Sequence, residues 1–208
     1  MSGKTRQRIL DVALRLFNEQ GESTVSTNHI ADELEISPGN LYYHYRNKDD
    51  IIEQLFLRFE AGMDQALTTP EGRAVTLEDV WFELHAVFEC IWNYRFLYRD
   101  IINILSRNRS LRLKFARILK RGSANAHTIM KGLNDAGSMR ASAAEIEGLS
   151  TNILVLATFW LNYANVTGEK DEQRAIRQGI VQVMMLVSPF LRDSERLHLH
   201  TLISAYTD

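Results

Sequence analysis

Between Pro38 and Lys48 the chain gathers side chains that can read or grip a polyanion. Asn40, Tyr42, Tyr43 and His44 can hydrogen-bond base edges or phosphate oxygens, and Asn40 has the chemistry best suited to a base. Leu41 and Tyr45 are spaced to point the other way and pack inward. Ser37 stands just before Pro38, a capping hydroxyl ahead of a proline at the first helical position. The helix start so formed presents backbone N–H groups and a positive dipole end, which suits a phosphate oxygen. Arg46, Lys48 and the basic start at Lys4, Arg6 and Arg8 add charge. For Tyr45 the competing reading, a small core beneath the first helix, is the stronger one.

These side chains need helices to aim them. Ile9, Ala13, Leu16 and Phe17 share one helical face that stops at Gly21, which predicts a first helix over about residues 4–20. Ser26 and Thr27 cap a short second helix carrying Ile30, Ala31 and Leu34, and Glu35, Ile36 and Ser37 form the turn into the third, 38–45. Two short helices joined in this way have the size of a helix-turn-helix, whose second helix enters a DNA major groove. Asn47 with Asp50 makes a plausible capping box for a fourth helix holding Ile51, Ile52, Leu55, Phe56 and Phe59. A linker follows at 68–73. Leu77, Val80, Trp81, Leu84, Val87, Phe88, Ile91 and Trp92 then repeat at helical spacing over four turns. Further helices are expected at about 95–107, 110–136, 142–166 and 171–191. The fold class is all-α, about nine helices: a three-helix DNA-binding domain at 1–48, a connecting helix and linker at 49–72, and a helical ligand-binding and dimerisation domain at 73–208.

Composition narrows the alternatives. The chain has 208 residues with 45% hydrophobic content, enough for a real core, and a net charge of -2 that gives no global sign of a nucleic-acid partner. Residues 1–48 carry six basic and six acidic side chains, so even there charge alone nominates nothing. The longest apolar run, 153–161, falls far short of the roughly 20 residues of a membrane span. There is one cysteine and no secretory-type start, which fits a cytoplasmic protein with no membrane association. A glycine-rich phosphate loop, a zinc-protease motif and a Cys/His cluster with metal spacing are all missing, so neither an enzyme, a cofactor nor a metal site is expected. His198 and His200 sit two apart near the end and point to different helix faces. Cys90 reads as a structural thiol, with redox sensing as the minor alternative.

The run Thr27-Asn28-His29-Ile30-Ala31 and Ile36-Ser37-Pro38-Gly39-Asn40-Leu41-Tyr42-Tyr43-His44-Tyr45, with Asn47-Lys48, closely resembles the DNA-binding domain of the TetR family over about residues 5–56. The remainder matches only in length and helical pattern. The resemblance implies that Ser26, Thr27, Asn28, Pro38, Gly39, Asn40, Tyr42, Tyr43, His44 and Lys48 lie at or near double-stranded operator DNA, with Tyr42 and Lys48 as phosphate anchors. One departure is Glu35, where the family usually has glycine: either Glu35 takes a positive φ or the turn differs. The string 36–48 is especially similar to regulators associated with polyhydroxyalkanoates, which hints at an acyl-type effector.

The 130 or so residues left over exceed what dimerisation needs, so a small-molecule pocket is expected. Its candidate lining is Trp81, His85, Phe88, Trp92, Phe96, Phe115, Phe159 and Tyr163, each of which plain core packing would also explain. Ile146, Leu149, Ile153, Leu156 and Trp160 on one late helix, and Ile176, Ile180, Val183, Met184 and Val187 on the other, form apolar faces wide enough to require cover twice. A four-helix homodimer interface supplies it; a single-chain bundle is the alternative. The resemblance implies a repressor that a ligand releases from a palindromic operator. The rival reading is a helical protein-interaction module without enzymatic activity.

Overall fold

The computed structural model describes residues 2–70 and 72–204, the side chains of Ser2 and Glu172 excepted; the last four residues of the predicted second domain and one residue of the predicted linker lie outside the described residues. Eleven α-helices are present among the described residues: α1 (Ser2–Gln20), α2 (Thr27–Glu33), α3 (Pro38–His44), α4 (Lys48–Ala66), α5 (Leu77–Asn93), α6 (Arg95–Arg99), α7 (Ile101–Arg107), α8 (Arg109–Asp135), α9 (Ala143–Val166), α10 (Glu172–Val187) and α11 (Asp193–Ser204). The all-α class is as expected, with two helices more than the periodicity predicts. One is α11. The other arises because the expected helix at 95–107 breaks at Asp100, whose φ of -106° and ψ of 20° leave the helical region. The Asp100 carboxylate accepts the Glu22 backbone N–H at 3.3 Å, a bond across 78 residues that no local pattern displays.

The helices fall into two compact units, one formed by residues 1–62 and 93–114 and the other by 63–92 and 115–208. α6 packs on α1 and α7 on α6, which groups residues 93–114 with the N-terminal helices. In the first unit Ile9, Phe17, Ile30, Leu41, Ile51, Leu55, Phe59 and Phe96 are fully buried. Phe17 and Phe96 meet with ring centroids 5.3 Å apart, and Phe59 lies edge-on to Tyr98 at 5.8 Å. Each such side chain removed from water contributes about 1.5–3 kcal/mol. Asn18 adds a polar tie: its amide oxygen accepts the Phe96 N–H at 3.1 Å, and its NH2 donates to the Asn93 carbonyl at 2.9 Å.

The second unit is built on the apolar stripe of α5, where Leu77, Val80, Leu84, Phe88 and Ile91 are buried, together with Phe115, Ile118, Ile129, Met130 and Leu133 of α8. Helices α9 and α10 make the most extensive helix pairing. Gly179 of α10 permits it: a Cβ there would lie 2.5 Å from Phe88 Cε1 and 2.7 Å from Trp160 Cδ1, so only hydrogen fits. α9 starts in a reciprocal cap between Ser142 and Glu145.

Candidate nucleic-acid interface

The reading surface starts from its caps. Ser26 Oγ accepts the His29 N–H at the start of α2, and Ser37 Oγ accepts the Asn40 N–H at the start of α3, each at 3.2 Å. The turn between the helices requires Glu35 at φ 55°, the positive value that the missing glycine foreshadows. Leu41 is fully buried and Tyr45 nearly so, while its hydroxyl donates to the Arg6 carbonyl at 3.2 Å and the Arg6 guanidinium lies over its ring. Tyr45 is therefore a core residue of α1 and α3, in line with its spacing.

With that face anchored, the opposite face of α3 stands in solvent. Asn40 and Gly39 are exposed, and Tyr43 is 79% exposed with its ring edge-on to His44. Pro38, Ser26 and Asn28 are exposed as well, and Thr27 and His44 are half-buried. The Tyr42 and Thr27 hydroxyls share a hydrogen bond of 2.9 Å, which brings the start of α2 onto the same surface as α3. A shallow cavity of about 280 Å3 beside Tyr42, Tyr43 and His44 is walled by Arg6 and Arg46. The hydroxyl bond joins Thr27 to Tyr42, and none of the other DNA-facing candidates named here is buried. Arg46 is held by Asp50, whose carboxylate takes both its backbone N–H and its Nε–H.

Lys48, the tenth, is half-buried and held from within. Its ammonium binds the Glu22 carboxylate at 2.8 Å and the carbonyls of Glu22 and Val25 at 3.0 and 3.1 Å. Those three partners match the three donors of an ammonium, so in this structure Lys48 clamps the turn at Glu22 and Val25. Glu22 has no exposed surface and also pairs with Arg107 of α7 at 2.7 Å; Arg107 reaches Asp49 as well, at 3.3 Å. Burial alone would push the Glu22 carboxyl up, yet Arg107 and Lys48 outweigh it and hold the group below its ordinary range. Sequence reading missed this latch. Its one local signal is an acid placed between the buried Phe17 and Val25.

The predicted ligand-lining set divides. Phe96 belongs to the first unit, packed on Phe17, and is withdrawn from any pocket in the second. Phe88 and Phe115 are buried, Phe88 by the α9 and α10 packing at Gly179. Phe159 and Tyr163 are exposed at 44% and 60%. Tyr163 borders a cavity of about 660 Å3 between α9 and α10, shared with Trp160, Arg174, Arg177 and Gln178. Trp81, His85 and Trp92 are half-buried along one side of α5; the first two stack at 4.1 Å, and His85 Nδ1 lies 2.8 Å from the Trp81 carbonyl. Burial and the neighbouring Glu89 push the Cys90 thiol up to about 12, the reverse of a redox-sensing cysteine. His198 Nε2 pairs with Glu78 at 2.8 Å, and no group of metal ligands occurs among the described residues. No helix there is long and apolar enough to cross a membrane.

An exposed polar recognition helix held by a buried helix-turn-helix defines a DNA-binding transcriptional regulator. The comparisons agree. Residues 9–55 match the profile described as bacterial regulatory proteins of the tetR family, and residues 58–199 match the profile of the TetR bacterial transcriptional repressor. A TetR-family regulator from Marinobacter aquaeolei VT8 is 38% identical with a TM-score of 0.89, covering 97% of this chain and 98% of that one. The chain belongs to the TetR family. The regulator AcrR of Shigella flexneri is 39% identical over 62 residues, 30% of this chain and 29% of that protein, so the chain matches less than a third of that curated relative. SmeT, solved as a complex with triclosan, shares the fold at 20% identity with a TM-score of 0.60, covering 92% of this chain and 94% of that one.

Proposed function

We propose that this protein is a cytoplasmic homodimeric repressor that binds a palindromic operator through α3 and is released by a small hydrophobic effector, of acyl type if the resemblance of residues 36–48 extends to the ligand. The observation that carries the DNA half is the split of α3: Leu41 and Tyr45 are buried, while Asn40 and Tyr43 stand in solvent with no packing role. In this reading Asn40 reads a base edge; Ser26, Thr27, Asn28, Tyr42, Tyr43 and His44 hold flanking phosphates or bases, and Pro38 and Gly39 allow close approach.

Of the apolar faces expected at the dimer interface, Ile146, Leu149, Ile153, Ile180, Val183, Met184 and Val187 are buried within the chain itself, so the dimer reading rests on another stripe of α9. Val155, Phe159, Tyr163 and Val166 recur at helical spacing and are 44–84% exposed, with Met185 of α10 exposed as well. A stripe of that kind left in water is what a second copy would cover. Two recognition helices then meet successive major grooves about 34 Å apart, and an effector acts by favouring a dimer in which they no longer do. SmeT supports the effector half only by analogy, since it shares the fold and was solved with triclosan bound. Of the lining candidates, Tyr163 borders the cavity between α9 and α10, and Trp81, His85 and Trp92 lie half-buried on α5.

The test is selection of fragments from a random duplex pool by the purified protein at two salt concentrations. A palindromic motif whose binding weakens steeply with salt is the expected result. No enrichment at either salt, with or without acyl ligands, would refute the reading.

A further inference from the structure

The strongest charge asymmetry in the chain lies outside the helix-turn-helix. Residues 101–134 hold eight Lys and Arg side chains and no Asp or Glu, while the rest of the chain has 16 basic side chains against 26 acidic ones. The acids that reach this segment are taken: Glu22 and Asp49 hold Arg107, Asp64 holds Arg121, and Asp135 holds Lys131. The side chains of Arg109, Arg112, Lys114, Arg117 and Lys120 make no ion pair or hydrogen bond among the described residues.

Four of these cations share one face of α8. Leu111, Phe115 and Ile118 are buried and mark the inner side of the helix. Arg109, Arg112, Leu113, Ala116, Arg117 and Lys120 fall on the opposite side, all exposed, over about 16 Å of helix axis. The stripe starts beside the reading surface. Asn108, just ahead of α8, accepts the Leu111 N–H at 3.0 Å and donates to Glu53 of α4 at 3.1 Å. Glu53 in turn borders the shallow cavity that Tyr42, Tyr43 and His44 share.

Unpaired cations at this density repel one another, and a regular array of anions removes the repulsion. Duplex DNA presents a phosphate about every 3.4 Å along each strand, and release of its counterions favours neutralising it. Such contacts are needed from outside the helix-turn-helix, because residues 1–48 carry as many acids as bases and add no net attraction to a polyanion. A lipid bilayer is the poorer match. The apolar face that would enter it is buried in the core, which leaves Leu113 as the one large apolar side chain among the four cations.

We propose that the outer face of α8 is a second, sequence-independent DNA contact, in which Arg109, Arg112, Arg117 and Lys120 bind backbone phosphates flanking the site that α3 reads. The inference rests on the DNA reading for its partner and adds a footprint longer than the operator itself. Neutralising two phosphates steepens the fall of log affinity with log salt by about 1.8.

The experiment is fluorescence-anisotropy titration of the full chain with two duplexes at about 50 and 200 mM salt: the selected motif alone, and the motif flanked on each side by about ten base pairs, one helical turn. It is repeated with the variant Arg109→Gln/Arg112→Gln/Arg117→Gln/Lys120→Gln. The expected result is that the wild type binds the longer duplex at least about tenfold tighter at the lower salt, with the steeper slope, and that the variant binds both lengths alike. Equal wild-type affinity for the two lengths would overturn the proposal with no variant needed. An equal loss on both lengths in the variant would reduce the stripe to a field acting through solvent, and a variant that keeps the length effect would move the flank contact elsewhere; each overturns it. Wild-type binding to phosphatidylglycerol vesicles, lost in the variant and without a length effect on DNA, would assign the face to lipid instead. If no motif is selected, the reading of α3 fails by itself; the stripe is then tested by the variant's salt slope on a random-sequence duplex, where an unchanged slope overturns it.

Discussion

Replacing Arg107 by alanine removes one of the two cations that hold the buried Glu22 carboxylate, and the structure sets the size of the effect. Breaking a buried ion pair outright is worth about 3–5 kcal/mol, because a charge is left without compensation. Here Lys48 remains at 2.8 Å, and Arg107 is itself 32% exposed, which together cut the loss to about 2 kcal/mol. The second contact, to the half-exposed Asp49, adds less than about 1 kcal/mol. A loss of about 2 kcal/mol multiplies the opening equilibrium by about 30. Trp81, Trp92 and Trp160 all lie in the second unit, so tryptophan fluorescence is the wrong probe. Hydrogen exchange read by mass spectrometry over residues 16–25 and 95–107 is the right one, with exchange in Arg107→Ala about 30-fold faster. Glu22→Gln leaves two cations that can still reach water and loses only about 1 kcal/mol. The double variant loses less than the sum of the two, since both act on one contact. The sign with pH follows from the lowered Glu22 carboxyl: the latch is complete above its ordinary value of 4.5 and is lost as pH falls through the lower folded value. An exchange change below threefold, or strictly additive single and double variants at pH 7, would refute the latch.

The remaining expectations concern other links. Lys48→Ala destabilises the first unit, as seen in a lower urea midpoint by circular dichroism; an unchanged midpoint with a salt slope reduced by about one would make Lys48 a phosphate anchor instead. Asn40→Ala relaxes base preference in fragment selection, whereas Tyr42→Phe weakens specific and random DNA alike. Glu35→Gly relieves the positive φ and raises stability by about 0.5 kcal/mol, part of the gain being offset by glycine's freer unfolded chain. Gly179→Ala drives a methyl into Phe88 and Trp160 and loses about 1–3 kcal/mol, measured by tryptophan fluorescence of the second unit. The raised Glu83 carboxyl makes wild-type stability fall as pH climbs from its ordinary 4.5 toward 8 and level off beyond, a slope absent from Glu83→Gln. Phe159→Glu on the α9 stripe yields a monomer by sedimentation; an intact dimer would move the interface elsewhere.

What the sequence alone determined is what acts over a few residues. Helical spacing marked which side of α3 is buried, because Leu41 and Tyr45 lie one turn apart and their polar neighbours fall between them. Ser37 before Pro38, and Gly21 at φ 87°, set helix ends through a single hydroxyl or a missing Cβ. The exposed polar face of α3 was legible for that reason: it belongs to one short capped helix and the turn before it. Only the tertiary structure decided the fates of Lys48, Phe96, Phe88 and Glu83. An ammonium next to a helix start suits a phosphate and a buried carboxylate equally well, and Lys48 took the second because Glu22, 26 residues away, lies wholly out of water. Phe96 is fixed in the first unit, where Asn18 bonds its backbone N–H, and Phe88 is covered because Gly179 lets α10 close on it. Nothing in the spacing of α5 singles out Glu83, one of whose carboxyl oxygens is held by Asn125, 42 residues on. Burial and charge pairing at these four positions depend on partners brought together by folding, and no spacing within one helix encodes them.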